Sequence, residues 1–258
     1  MKVALLGDTH GNADHIAHAL DVFESLGLKT IIQVGDLGVW PGHVAGKMWN
    51  KVDESLAARG MSMFVAPGNH EDYDRIARLK VRDDGWLRFR DHILLAPRGH
   101  RTLLGGRSIV WLGGAASLDR TWRNHAHKMG YGAGKSWWAG EALTDADVEQ
   151  TAAGGHAEIM VAHNAPDGVP TIEVSITGNP HEFLQEDIAY AEADRRRFTE
   201  AFHAVKPRLL LHGHYHVPVD ETVDFGPFAT HVFGLACDDE PKSMGVLDLD
   251  TLATAFIE

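Results

Sequence analysis

Cysteine is almost missing from this chain. Cys237 stands alone among 258 residues, so no intrachain disulfide can form and a thiolate metal cluster is excluded. A reducing compartment is the expectation. Long apolar runs are missing as well: the opening Met1-Lys2-Val3-Ala4-Leu5-Leu6-Gly7 is cut off by Asp8, too early for a signal-peptide core. No later stretch approaches the ~20 apolar residues of a membrane helix. The sequence therefore reads as cytoplasmic, with no membrane partner. Positive charge is scarce, 24 Lys and Arg against 36 Asp and Glu, for a formal net charge of −12. Such a surface repels a polyphosphate backbone, so long nucleic acid is not expected as a partner. A small anion is a different matter, because bound divalent cations dominate their surroundings and invert the local electrostatics. Internal repeats, low-complexity tracts and linkers are also lacking. With 44% hydrophobic residues, one domain over residues 1–258 is expected. The assembly state stays open, a homo-oligomer included.

What the chain has in excess is histidine, 17 of them, many beside Gly, Asp or Asn and not on periodic apolar faces. Their placement follows a repeated unit. Lys2 to Leu6 reads as a short buried strand, ending in Gly7-Asp8-Thr9-His10-Gly11-Asn12. Ile16, Ala19, Leu20, Phe23 and Leu26 then recur at helical spacing, with Asn12 or Asp14 near the start and Gly27 near the end. Thr30 to Val34 is a second strand ending in Gly35-Asp36. Val44 to Arg59 is helix-like, and Met61 to Ala66 is a third strand, closed by Pro67-Gly68-Asn69-His70-Glu71. This is a βα pattern of the α/β class, in which ligands bind outside the carboxyl ends of the strands.

In the second half, runs at Ile93 to Leu95, Arg101 to Leu104 and Ser108 to Leu112, broken by paired glycines, suggest antiparallel strands. A stretch rich in Gly, Trp and His from Gly113 to Gly140 has weak periodicity. Glu158 to Ala162 is a strand leading to His163, Asp187 to Val205 a charged helix, and Arg208 to Leu211 a strand ending at Gly213-His214-Tyr215-His216. Thr230 to Phe233, Gly245 to Leu249 and Leu252 to Ile257 read as final strands.

Divalent cations that activate water need carboxylate and imidazole ligands converging from loops, with one position left open. The strand ends supply such a set: Asp8 with His10, Asp36, Asn69 with His70, His163, and His214 with His216. Taken singly, each has an ordinary reading as a turn, a cap or a hydrogen-bonded histidine. Their joint occurrence at five strand ends points to a metal site.

In this order the motifs resemble the calcineurin-like metallophosphoesterase superfamily, whose pattern is GDxHG, GDxx, GNHE, a later single His, and GHxH. Here they stand as Gly7 to Gly11, Gly35 to Gly38, Gly68 to Glu71, His163, and Gly213 to His216. The resemblance implies a four-layer α/β/β/α sandwich of two mixed sheets flanked by helices. It implies one metal held by Asp8, His10, Asp36 and His216, and a second by Asp36, Asn69, His163 and His214, with Asp36 as the bridge. It implies catalytic roles for Asp36 and His70, the latter as general acid or transition-state donor, oriented by Glu71 or Asp72. The cofactors are then two divalent ions, Mn²⁺ favoured, with Fe, Zn, Co or Ni as alternatives.

The second motif continues as Leu37-Gly38-Val39-Trp40-Pro41-Gly42 and lacks the acidic residue and Arg of the protein phosphatase branch, which argues against phosphoprotein substrates. The segments Gly114 to Arg120 and Ser136 to Glu141 look like those of small bacterial or phage-type members, whose activities are mostly phosphodiesterase-like. The expected function is hydrolysis of small phosphodiesters, cyclic nucleotides favoured and 2′,3′-cyclic ones ahead of 3′,5′. A phosphomonoesterase or dinucleoside-polyphosphate hydrolase is the alternative, and a non-catalytic scaffold a remoter one. Asn69, His70 and Arg120 are read as substrate-binding. Arg120 and Arg123 are each open to a phosphate oxygen or to solvent, and Trp137 and Trp138 to lid packing or to nucleobase stacking. His125 and His127 are read as surface residues, His212 as supporting the metals or merely the strand end. Arg195 to Arg197 are read as a solvated helix face, and the segment Asn164 to Gln185 as a gate over the site.

Overall fold

The computed structural model describes residues 1–130 and 135–257. Its strands are β1 (Lys2–Leu6), β2 (Thr30–Gln33), β3 (Ser62–Val65), β4 (Lys80–Val81), β5 (Leu87–Arg88), β6 (Ile93–Leu95), β7 (His100–Leu104), β8 (Arg107–Leu112), β9 (Ile159–Ala162), β10 (Leu209–His212), β11 (Val219–Asp224), β12 (Ala229–Gly234), β13 (Met244–Asp248) and β14 (Ala253–Phe256). The helices are α1 (Ala13–Ser25), α2 (His43–Arg59), α3 (Tyr73–Ile76), α4 (Arg120–Lys128), α5 (Asp145–Ala153), α6 (Pro170–Ile176) and α7 (Gln185–Val205).

Two mixed sheets form, in the orders β14-β13-β1-β2-β3-β6-β5-β4 and β11-β12-β10-β9-β8-β7. Why they stack is written in the alternation of side chains. Val3 and Leu5 of β1 pack between the sheets with Ile32, Trp111, Ile159, Leu209 and Phe233. Their neighbours Ala4 and Leu6 turn outward onto Ile16, Leu20 and Phe23 of α1 and Trp49 and Leu56 of α2. In the second sheet Val110, Met160 and Leu210 turn outward onto Phe198, Ala201 and Phe202 of α7. Strands apolar on both faces can only be interior layers, so each sheet needs helices on its outer side. The α/β/β/α sandwich follows.

Helix ends agree with their sequence signals. Asn12 caps α1 by accepting from the His15 amide at 3.1 Å, and Thr144 with Asp147 forms a capping box on α5. Other expectations need correcting. The Ile93–Leu95 strand pairs antiparallel with β5 but parallel with β3, and β8 pairs antiparallel with β7 but parallel with β9, so the antiparallel pairing expected there holds on one side of each strand only. Parallel neighbours far apart in sequence leave no local signal. The weakly periodic stretch after Gly113 contains α4, while residues 131–134 of it lie outside the described residues. The arginine run is not a uniform solvated face: Arg195 is buried against Asp167 and Glu173.

Among the described residues no helix is long and apolar enough to cross a membrane.

Candidate metal centre

Strands β1, β2, β3, β9 and β10 end on one edge of the sandwich, and the turns beyond them carry every expected ligand. The backbone there is unusual: His10, Asp36, His214 and His216 all have positive φ, at 43°, 51°, 68° and 55°. Non-glycine residues avoid this region, and its recurrence at four clustered positions marks turns held by their surroundings. Two glycines make the convergence sterically feasible. Gly35 has φ 107°, and a Cβ there would lie 2.3 Å from His163 Nδ1; at Gly213 a Cβ would lie 2.0 Å from Asp8 Oδ1.

Asp8, His10, Asp36 and His216 each place one ligand atom within 4.8 Å of the others. His216 Nε2 is 3.1 Å from Asp8 Oδ2, and His10 Nε2 is 3.5 Å from Asp36 Oδ2. The other oxygen of Asp36 faces a second group: His163 Nε2 lies 3.4 Å from Asp36 Oδ1 and 2.9 Å from Asn69 Oδ1, which His214 Nδ1 approaches at 3.0 Å. Asp8 Oδ1 is buried without a hydrogen-bond partner. Carboxylates and imidazoles drawn together in this way, with a buried carboxylate oxygen unpaired, fit a divalent cation at the first group. A second beside His163 is compatible with the same donors.

The ionisation pattern follows from this crowding. Burial alone would depress His10 and His163, but the Asp36 and Asp8 carboxylates, joined by Asp238 at His10 and Glu71 at His163, reverse it and raise them to about 9 and about 10. Asp36 is held well below the usual carboxylate range, because the His163 and His70 rings outweigh its burial. Glu71 is pushed up to about 8 by burial and by the charge of Asp36. Both raised histidines are charged at pH 7 in the metal-free protein. That contribution to stability is fully present below pH 6.5 and is lost as pH rises through 9 and 10. Coordination requires their lone pairs, so we expect metal uptake at pH 7 to release about two protons. Calorimetric titration in buffers of different ionisation enthalpy reads this number; a value near zero would contradict the charged state of His10 and His163 in the metal-free protein.

Several supporting residues went unread in the sequence. Asp238, beyond β12, takes His10 Nδ1 at 2.7 Å and so aims Nε2 at Asp36, while Asn12 holds Asp238 at 3.0 Å. Behind Asn69, its Nδ2 donates to Ser117 Oγ at 3.0 Å, and that hydroxyl donates to Glu141 Oε2 at 2.7 Å. Glu141 is fully buried and also accepts from the Ser117 amide and Trp137 Nε1. This chain fixes the amide so that its oxygen, not its nitrogen, faces His163 and His214. Glu141→Ala leaves the Ser117 hydroxyl free to reorient and the amide free to flip. Metal titration is expected to give an affinity at the His163 side roughly 10- to 100-fold weaker, with the Asp8 side changed less. Equal weakening of both sides would refute the role.

His70 sits at the rim, its Nε2 3.8 Å from Asp36 Oδ2 and its amide donating to Asp36 Oδ1 at 2.8 Å. The expected orienting partners do not reach its ring: Glu71 accepts from the Gly38 amide and Asp72 caps α3. Arg123 packs there instead, its Nη2 against both ring nitrogens of His70, and is itself held by Asp119 Oδ2 at 2.8 Å. It is 3% exposed, so the solvated reading is wrong for it. Arg120, in contrast, points away from the cluster, paired with Asp187 at 3.0 Å and stacked over Tyr190 at 4.3 Å. Both arginines lie on α4, Arg120 at its first residue and Arg123 one turn on, and partners on different elements, Asp187 of α7 and His70 after β3, draw the two side chains apart. Trp138 is buried, and Trp137 is tied to Glu141, so both serve packing. His212 is fully buried at its strand end beside Gly213. His125 is exposed, as is His127.

Fold and cluster together define an α/β/β/α protein with a candidate carboxylate–histidine metal site across its strand ends. Residues 1–218 match the model of the Calcineurin-like phosphoesterase family, and the chain belongs to that family of metal-dependent phosphoesterases, which use dimetal centres. No protein of curated function matches the sequence significantly. Among solved structures it is similar to TT1561 of Thermus thermophilus, with TM-score 0.52 and 12% identity over 100% of this chain and 98% of that one. It is also similar to a dimetal phosphatase from Danio rerio, with TM-score 0.50 and 11% identity over 95% of this chain and 91% of that one. At such identities the likeness is one of fold.

Proposed function

We propose that this enzyme hydrolyses small phosphodiesters, with cyclic nucleotides, 2′,3′-cyclic ones first, as the favoured substrates. The observation that carries the reading is Asp36, whose two oxygens face two different donor groups, as a bridging carboxylate must. Asp8, His10 and His216 would hold one cation with Asp36, and Asn69, His163 and His214 the other. Two such cations, when bound, supply a water nucleophile at neutral pH and neutralise charge growing on the phosphoryl oxygens.

The chain's own residues do the rest. Burial, with Arg123 and His10 beside it, lowers His70 to about 4 in spite of Asp36, so at pH 7 its imidazole is neutral. A neutral ring still offers an N–H, here to the departing ester oxygen. Arg123 supplies a fixed guanidinium at the same rim for a phosphoryl oxygen. Among the described residues it is the one arginine in contact with His70, and Arg120 is engaged elsewhere. Metal-stripped protein refilled with Mn²⁺ should cleave bis-4-nitrophenyl phosphate at least about tenfold more efficiently than 4-nitrophenyl phosphate. The reverse preference would make the enzyme a monoesterase.

A further inference from the structure

Next to the metal cluster lies a cavity of about 710 Å³ that the hydrolytic reading does not use. Its inner end is formed by His214, Tyr215 and Ala116, and its sides by α6, the turn after it and the start of α7. Its volume is that of a small-molecule site. The segment from Asn164 to Gln185, read from sequence as a gate, is the roof of this cavity.

The roof and walls are already fixed. Asn179, with φ 51°, both donates to and accepts from the backbone of Phe183, at 2.9 Å each. Tyr215 donates its hydroxyl to Asn164 Oδ1 at 2.7 Å, and Asn164 in turn donates to Asp194. These polar groups are spent on one another. The apolar part of the lining is Leu118, Ile176, Phe183, Ile188 and Ala191, with the polar His181 and Gln185 beside it.

Charge narrows the class of occupant. The lining holds Arg195 and Arg196 against Asp167, Glu173 and Glu192. Arg195 is committed to Glu173 at 2.8 Å and Asp167 at 3.3 Å, and Arg196 contacts Glu192 at 4.0 Å. A second phosphate placed here would meet three carboxylates against two arginines, of which Arg195 is already paired twice and Arg196 is turned to solvent. An uncharged ring-sized group would bury apolar surface without stranding a polar atom.

We infer that this cavity binds the uncharged, ring-sized organic substituent of the phosphodiester, the ester group that stays on phosphorus while the other departs. The inference rests on the phosphodiesterase reading and makes the cavity the determinant of substrate size and charge. A polyphosphate chain is excluded from it, whereas an aryl group or a nucleobase is accommodated.

Two diesters with one leaving group test it: phenyl 4-nitrophenyl phosphate and methyl 4-nitrophenyl phosphate, each turned over by the Mn²⁺-loaded full chain. The wild-type kcat/KM ratio of phenyl to methyl is expected to be on the order of tenfold or more. Ile188→Glu and Phe183→Ala should each bring that ratio close to one. Because the ratio is taken within each variant, general damage to folding or metal content cancels. A ratio near one in the wild type, or a large ratio that both variants retain, overturns the cavity assignment and leaves the phosphodiesterase reading standing. No turnover of either ester with two equivalents of metal bound sinks the phosphodiesterase reading, and the cavity assignment falls with it.

Discussion

Asp36→Asn is expected to abolish phosphoesterase activity, with kcat down by at least about 10³-fold, and to reduce bound metal from two ions to one or none per chain. The substitution is nearly isosteric, and the hydrogen bond from the His70 amide to Asp36 Oδ1 at 2.8 Å can be kept by an asparagine oxygen. Folding should therefore survive, with an unchanged circular dichroism spectrum. What is lost is the charge and one of two ligand oxygens. Asp36 is buried, at 1% exposure, and its ionised form is favoured by the surrounding histidines. Asparagine can present one oxygen, to the His10 side or to the His163 side, but not to both. Elemental analysis of the purified variant measures the stoichiometry directly. Retention of two ions with more than a tenth of the activity would remove Asp36 from the bridging role.

The second large effect is expected at His70. His70→Ala should lower kcat by about 10²- to 10³-fold, as the proposed role of a transition-state donor predicts, with two metal ions still bound. His70→Asn, which keeps an N–H near the same place, should recover part of this. The pH profile separates two mechanisms. A histidine lowered to about 4 by burial and its cationic neighbours is neutral throughout pH 5 to 9. Wild-type kcat should then show no loss between pH 6 and 8 assignable to deprotonation of His70. A descending limb in that range, absent from His70→Asn, would instead make the charged imidazolium the working form.

The fold was legible because its signals are local. Lys2 to Leu6 and Thr30 to Gln33 announce themselves by apolar character bounded by Gly-Asp turns, and α1 by its spacing and its Asn12 cap. The two-residue strands β4 and β5 are too short to carry a periodicity, and β11 has only Val219 and Val223 as apolar residues among charged neighbours. Pairings such as β8 with β9, separated by about forty-five residues, likewise have no local signature.

The metal-site expectation rested on residue type at strand ends, and the fold brings all seven of the named donors to one edge. Residues that support them were illegible for a different reason. Asp238 and Glu141 lie in stretches that look like ordinary turns, and they matter through the atom each touches: His10 Nδ1 in one case, the Ser117 hydroxyl in the other. Arg120 and Arg123 were indistinguishable by type, and only their tertiary partners, Asp187 for one and His70 for the other, tell them apart.

The sequence by itself determined the α/β class, the strand ends that bear chemistry, the family, and the absence of an intrachain disulfide, since each of these depends on residue identity and short-range order. Tertiary structure alone decided which oxygen of Asp36 faces which imidazole, which arginine reaches the rim, and that a partly apolar cavity opens beside His214. Those facts depend on distances of a few ångströms between residues far apart along the chain. Only the packing of two sheets sets such distances.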